Sequence, residues 1–253
     1  MSLLVTGVGT HQPGGERRAV TEQPDRKADQ TRLQILRAAA RHFALTPYSR
    51  VSLDDILADA TVTKGALYFH FRSKHALAAS VVTHRTQLAH KTLEDALARN
   101  LSGAETLIDL ACLVATEDIG DPMARACLNL IESIGRTDNV GPQALHEWVQ
   151  GLAGIAKRAI SEGDFTADTE PDEVARLLVA TYLGVRQISD LDDPRLFLTD
   201  LERSWRLALP GFVAPERLDY LTRFLRRRTA IDVRTVTPLG RPAEPATIRR
   251  RDT

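Results

Sequence analysis

The stretch Val62-Thr63-Lys64-Gly65-Ala66-Leu67-Tyr68-Phe69-His70-Phe71 constrains this chain most. Eight of its ten residues are apolar, aromatic, Gly or Thr, yet it is too short and too weakly amphipathic for a core helix. It follows Val51–Ala60, which reads as a short helix capped by Ser52, with Asp55 three residues on as a variant capping box. Thr63 is the cap candidate for a second short helix, 64–69. Two short helices joined by a tight turn form a helix-turn-helix unit, whose second helix enters the DNA major groove. Such a unit needs a helix to hold it, a copy to pair with it and something to switch it.

The flanking sequence supplies helices on both sides. Residues 27–45 place Ile35, Leu36, Ala39 and Phe43 on one face and Arg32, Arg37 and Arg41 on the other, and Pro47 ends the helix. Ser73 caps a long helix, 74–99, with Leu77, Val81, Leu88 and Leu93 as its buried stripe. Ser102-Gly103 breaks it. Helices follow over 104–118 and from Asp121-Pro122, and Gly135 to Pro142 is a polar loop. Helix 143–162 carries Leu145, Trp148, Val149, Leu152 and Ile155 on one side, and 163–170 is a polar turn. Pro171 opens helix 172–189, Asp193-Pro194 opens another to about 209, and 215–230 form a further, basic helix. No strand pattern stands out, so the expected class is all-α.

Four segments result: a disordered leader, 1–25; a helix-turn-helix DNA-binding domain, 26–75; a helical ligand-binding and dimerisation domain, 76–213; and a basic, partly disordered C-terminal extension, 214–253, ending Arg249-Arg250-Arg251. The net charge of zero is unevenly distributed. Residues 26–75 carry nine Lys/Arg against four Asp, and residues 76–213 carry twelve basic against twenty-one acidic side chains. A basic unit on an acidic body suits a polyanion partner for the first part only.

Other classes find little support. Gly7-Val8-Gly9 lacks the strand and helix of a dinucleotide site. Cys112 and Cys127 are the only cysteines, with neither disulfide nor metal-ligand spacing. His84 and His90 lie six apart, off a common face, and no His-Glu-x-x-His occurs. No apolar run approaches the roughly 20 residues needed to cross a bilayer, and no signal-peptide pattern opens the chain. A cytoplasmic protein with no metal, no cofactor and no membrane partner is expected, and not an enzyme; an all-α enzyme is the distant alternative.

Over residues 28–75, the order of helix, capped helix, Thr63-Lys64-Gly65-Ala66-Leu67-Tyr68-Phe69-His70-Phe71, Lys74 and long helix resembles the TetR family of bacterial repressors. The wording is similar in particular to the γ-butyrolactone-type hormone receptors of actinomycetes, and Trp148 and the Pro-Gly after Trp205 agree with that subgroup. One departure is Ala60-Thr61, where the family usually has Ala-Gly between the two helices. The resemblance implies a homodimer on a pseudo-palindromic operator in double-stranded DNA. Lys64 and the first amides of the recognition helix suit phosphates. Gly65 allows close approach, Ala66 and Thr63 suit a thymine methyl, and Tyr68, His70, Lys74, Thr31 and Ser52 suit phosphate oxygens. Phe69 and Phe71 read as core, pinning the short helix against the first. The seam of 174–188 and helix 194–209 are the expected dimer bundle, through Leu178, Tyr182, Val185, Leu201 and Trp205.

The resemblance also implies a small-molecule effector among the long helices, lying against Trp148. Its class would be a γ-butyrolactone, furan or butenolide, and its genes those of antibiotic or secondary metabolism. The alternative is a pseudo-receptor that answers to another signal. Around Trp148, the candidate ligand contacts are Arg85, Leu88, Leu152, Thr181 and Tyr182. Arg85 shares a face with Leu77 and Val81, and a buried Arg is costly unless paired. It either pairs with a helical acid or snorkels outward, or it meets a carboxylate or carbonyl of the ligand.

Overall fold

Ser52, Thr63 and Ser73 each begin a helix, as their sequence positions predict. The computed structural model describes residues 22–134 and 139–240. Ser52 Oγ accepts from the Asp54 amide (3.1 Å), Thr63 Oγ1 from Ala66 (3.2 Å) and Ser73 Oγ from Ala76 (3.0 Å). Each bond satisfies an amide that the first helical turn leaves without a partner. The described residues contain ten α-helices: α1 (Glu22–Leu45), α2 (Leu53–Ala60), α3 (Lys64–His70), α4 (Lys74–Leu97), α5 (Gly103–Gly120), α6 (Pro122–Ile134), α7 (Val140–Ser161), α8 (Pro171–Ile188), α9 (Pro194–Ala208) and α10 (Pro215–Thr235). They contain no strand, only an isolated bridge between Phe165 and Val213, and the fold is all-α.

Two apolar cores divide the molecule. The first joins Ile35, Leu36 and Phe43 of α1 to Ile56, Leu67, Phe71 and Leu77, and it extends into Cys127, Leu130 and Ile131 of α6. α6 thus lies in the body by sequence but lends one face to the DNA-binding unit. The second core gathers Leu107 and Ile119 of α5, Leu178 and Val185 of α8, Phe197 and Trp205 of α9, and Leu221 and Leu225 of α10. Trp148 packs against both.

Several boundaries differ from the sequence reading. α1 starts at Glu22, so residues 22–25 are helical and not leader; residues 1–21, with Gly7-Val8-Gly9, lie outside the described residues. Val140–Pro142, read as loop, form the first turn of α7, while residues 135–138 lie outside the description. The turn after α7 is not wholly polar: Phe165 is buried edge-on against Phe212. The segment from 214 is no appendage either. α10 buries Leu221 and Leu225 in the body core and runs to Thr235, beyond the expected end at 230, and the Leu239 amide donates to the Ile119 carbonyl. Residues 241–253, with the terminal arginines, lie outside the described residues.

Ser102-Gly103, read as a break, is a helix start. Ser102 and Glu105 form a full capping box, Ser102 Oγ accepting from Glu105 N–H and the Glu105 carboxylate from Ser102 N–H. Gly103 is needed for packing. A Cβ there would lie 2.4 Å from the Ala159 backbone nitrogen, so glycine lets α5 meet α7 backbone to backbone.

The body is tied by ion pairs between distant segments. Asp118, fully buried, receives Arg186 Nε at 2.7 Å. Asp109 accepts from Arg99 and Arg228, each at 2.6 Å, and Asp164 from Arg217 at 2.7 Å. Burying a charge in this way is tolerated only because each is paired and hydrogen-bonded.

Candidate DNA interface and ligand cavity

α3 is a seven-residue helix that buries Leu67 and ends on buried Phe71, four residues later on the same face. The opposite face is therefore turned outward. Lys64 and Gly65 are exposed, Tyr68 is 46% exposed and Ala66 and His70 are half-buried. Phe69, read as core, is 80% exposed. The helical period explains the correction: with Leu67 and Phe71 inward, a residue two positions from each points away. An exposed aromatic beside Lys64, Tyr68 and His70 gives this face apolar as well as cationic character.

The turn that aims α3 holds at Thr61, which takes the left-handed conformation (φ 54°, ψ 42°) that caps α2. Its amide and that of Val62 donate to the carbonyls of Ala58 and Leu57. Glycine adopts this conformation without strain, whereas a β-branched residue does not. The departure from Gly at this position therefore leaves the turn intact and costs strain.

Of the other predicted DNA contacts, Ser52 and Thr63 use their oxygens as cap acceptors and keep their hydroxyl protons. Thr31 and Lys74 are engaged within the protein, which corrects both assignments. The Thr31 hydroxyl donates to the Lys27 carbonyl. Lys74 Nζ donates to the carbonyls of Tyr48 (2.8 Å) and Val51 (2.9 Å) and lies over the Tyr48 ring. It is a clamp on the segment between α1 and α2. Exposed cations of the unit include Arg37, Arg50, Lys64 and Arg72.

In the body, α4, α5, α6, α7 and α8, with Trp205 of α9, line a cavity of about 190 Å³. Of the predicted ligand contacts, Arg85, Trp148, Leu152 and Tyr182 line it. Leu88 and Thr181 do not. α4 buries Leu77, Ala78, Val81, Val82 and Thr86 and turns half-buried Ala89 and Leu93 to the cavity, leaving Leu88 45% exposed; Thr181 is half-buried on α8. Sequence reasoning missed Leu110, Ala111 and Val114 of α5 and Cys127 and Leu128 of α6, all of which the wall includes. Their helical spacing marked them as core, and nothing in it distinguishes a core position from a cavity wall.

Arg85 is paired with Glu117 on α5, so the first of its two readings holds. Burial pushes the Glu117 carboxyl up from its usual range, while Arg85 draws it down. The pair occupies the arginine that a carboxylate ligand would seek on this wall. Trp148 lines the same wall, and its indole Nε1–H is buried and has no acceptor among the described residues. Tyr182 is held by its hydroxyl, which donates to Asp118 Oδ2 at 3.0 Å.

The predicted dimer residues face inward. Leu178, Tyr182, Val185, Leu201 and Trp205 are all buried in the chain's own second core. The apolar seam read from α8 is an intramolecular one, which corrects that assignment. The outer sides of α8 and α9 expose Leu177 (44%), Ile188 (84%), Leu196 (45%) and Leu207 (85%).

Two further groups carry no catalytic signal. Cys112 and Cys127 are buried and their thiols are pushed up to about 12, so neither is a nucleophile at neutral pH. Among the described residues, no three His, Cys, Asp or Glu come together as metal ligands, and no helix is long and apolar enough to cross a membrane.

Two family models match the chain: bacterial regulatory proteins, tetR family, over residues 35–81, and the tetracyclin repressor-like C-terminal domain over residues 138–203. The chain is 31% identical over 190 residues to the A-factor receptor protein of Streptomyces griseus, a match that spans 75% of this chain and 66% of the receptor. It also resembles a crystal structure of a γ-butyrolactone receptor (ArpA-like protein), at 29% identity and a TM-score of 0.68 over 81% of this chain and 99% of the other. The same coverage, identity and score relate it to the TetR family protein CprB of Streptomyces coelicolor, solved in complex with its biological operator sequence.

Proposed function

The chain belongs to the TetR family of bacterial regulatory proteins, a regulator and not an enzyme, and we propose from that premise how it represses and how it is released. It binds a pseudo-palindromic operator in double-stranded DNA as a homodimer, in the cytoplasm and on the nucleoid when bound. It leaves the operator when a small signalling molecule of γ-butyrolactone, furan or butenolide type enters the cavity, and so controls antibiotic or secondary-metabolite genes. One α3 gives few contacts, and a twofold pair doubles them at half-sites about 34 Å apart. Lys64, Tyr68 and His70 position the protein on phosphates, while Gly65, Ala66 and Phe69 approach the base edges. The exposed outer sides of α8 and α9 are the surface for the partner copy. Gly184, with no atom within 4 Å of a Cβ placed on it, lets a second helix come close.

The observation that carries the ligand class is the polarity of the cavity. Its walls are almost wholly apolar and its arginine is neutralised by Glu117. Such a site favours a neutral, lipophilic molecule over an anion. Entry displaces α4, which continues directly from the DNA-binding unit through Ser73 and the Lys74 clamp. The two recognition helices then lose their register on the operator. Isothermal titration of the full chain with a γ-butyrolactone, a furan and a butenolide, each uncharged, tests the reading. Saturable 1:1 binding by one of them is expected. Absence of binding by all three would overturn the hormone class and favour a repressor that answers to another signal.

A further inference from the structure

The C-terminal turn of α1 is completed by a side chain from a different part of the chain. The last carbonyls of a helix have no partner within it. Here the Asn129 amide of α6 supplies one: Nδ2 donates to the Phe43 carbonyl (2.9 Å) and to the Ala44 carbonyl (3.1 Å). The orientation of that amide is fixed from behind, because Arg186 Nη2 donates to Asn129 Oδ1 at 2.6 Å. A donor on one side and two acceptors on the other leave the Asn129 amide a single assignment.

Arg186 is fully engaged. Its Nε donates to Asp118 Oδ2 (2.7 Å) and its Nη1 to Glu132 Oε1 (2.8 Å). Asp118, with no exposed surface, accepts at the same Oδ2 from the Tyr182 hydroxyl at 3.0 Å. Tyr182 in turn is part of the cavity wall. An unbroken run of hydrogen bonds therefore joins the cavity to the DNA-binding unit: Tyr182, Asp118, Arg186, Asn129, then the end of α1. It crosses four helices, and its two innermost members, Asp118 and Arg186, are shielded from water. A fully satisfied buried network holds together or rearranges as a unit, since leaving any one member unpaired is costly.

We propose that Asn129 is a positioning residue for DNA binding, and that Tyr182, Asp118, Arg186 and Asn129 form the route by which the state of the cavity is read at α1. The inference rests on the reading of the cavity as the sensor site. It adds a second linkage to the displacement of α4: a molecule that moves the Tyr182 ring withdraws its hydroxyl from Asp118, and the change reaches the cap on Phe43 and Ala44. A rival route is apolar, through Trp148, which packs against both cores.

Hydrogen exchange of the full chain without ligand separates the two routes. The reporter is the set of amides at residues 43–51, and the variants are Tyr182→Phe, Asn129→Ala, Asn129→Asp and the double variants Tyr182→Phe/Asn129→Ala and Tyr182→Phe/Asn129→Asp. Asn129→Asp keeps an acceptor for Arg186 and replaces the donors to α1 with an anionic oxygen facing the same carbonyls, so it removes the cap while keeping the Arg186 pairing even if the alanine variant unfolds. Both Asn129 variants are expected to exchange roughly tenfold faster at these amides. Tyr182→Phe is expected to accelerate them about threefold from a distance, and to add nothing in either Asn129 background. Residues this far apart with no shared network act additively. Unchanged exchange in Tyr182→Phe, or an equal acceleration in the Asn129 variants, would overturn the proposal in favour of the Trp148 route. Because no ligand is present, the outcome is independent of lactone binding. A chain that shows the coupling but binds no lactone would refute the sensor class alone.

Discussion

Between Ser52 and Ala76, the polar contacts that start helices join residues two or three apart; in the body, those that hold helices together join residues tens of positions apart. Ser52, Thr63 and Ser73 each bond an amide in their own first turn. Asp118 meets Arg186 across 68 positions, Asp109 meets Arg228 across 119 and Asp164 meets Arg217 across 53. The helix starts of the DNA-binding unit are thus specified locally, although the unit is also held by the Lys74 clamp and the Asn129 cap. The body is held by pairings between segments far apart in sequence.

The comparison is broken most severely at Asp118. Asp118→Ala leaves Arg186 buried without its main partner, and a loss of about 3–5 kcal/mol is expected in urea denaturation. A loss under about 1 kcal/mol would mean that the pair is not what holds α5 to α8. A local contact is expected to matter less. Ser73→Ala removes one cap from α4, and about 1 kcal/mol should be lost in the same assay. If that change costs as much as the buried pair, the distinction between the two regions fails. The smallest effect has the opposite sign. Thr61→Gly relieves a left-handed β-branched residue, at some expense in chain entropy, and a gain of about 0.5–1 kcal/mol is expected. A destabilised glycine variant would show that the turn is not strained.

The same division explains what could be read before the structure. Caps and turns follow from residues close in sequence, so three helix starts in the DNA-binding unit were legible, as was the inward face of α3 at Leu67 and Phe71. Phe69 was misplaced although the 3.6-residue period carried the signal, and the Ser-x-x-Glu pattern at Ser102 was equally visible. Other features had no local trace. Glu117 lies 32 positions from Arg85, and Asn129 some 85 from the carbonyls it caps, so neither partner follows from spacing. Lys74 looked like a phosphate contact because its charge is visible in sequence and its two carbonyl acceptors are not. The dimer surface was misread for a related reason. α8 carries apolar residues on its inner side at Leu178 and Val185 and on its outer side at Leu177 and Ile188, and periodicity alone selects the inner one.

The central claim is that the DNA-binding unit and the cavity are separate parts joined by a switch, and operator release in Trp148→Ala tests it most directly. A band-shift titration on a pseudo-palindromic duplex selected with the wild-type protein compares the two chains with and without the γ-butyrolactone that binds. The account predicts that the variant holds the operator as tightly as wild type and is no longer released by the lactone. Loss of operator binding in the ligand-free variant, or release at the wild-type lactone concentration, would contradict it.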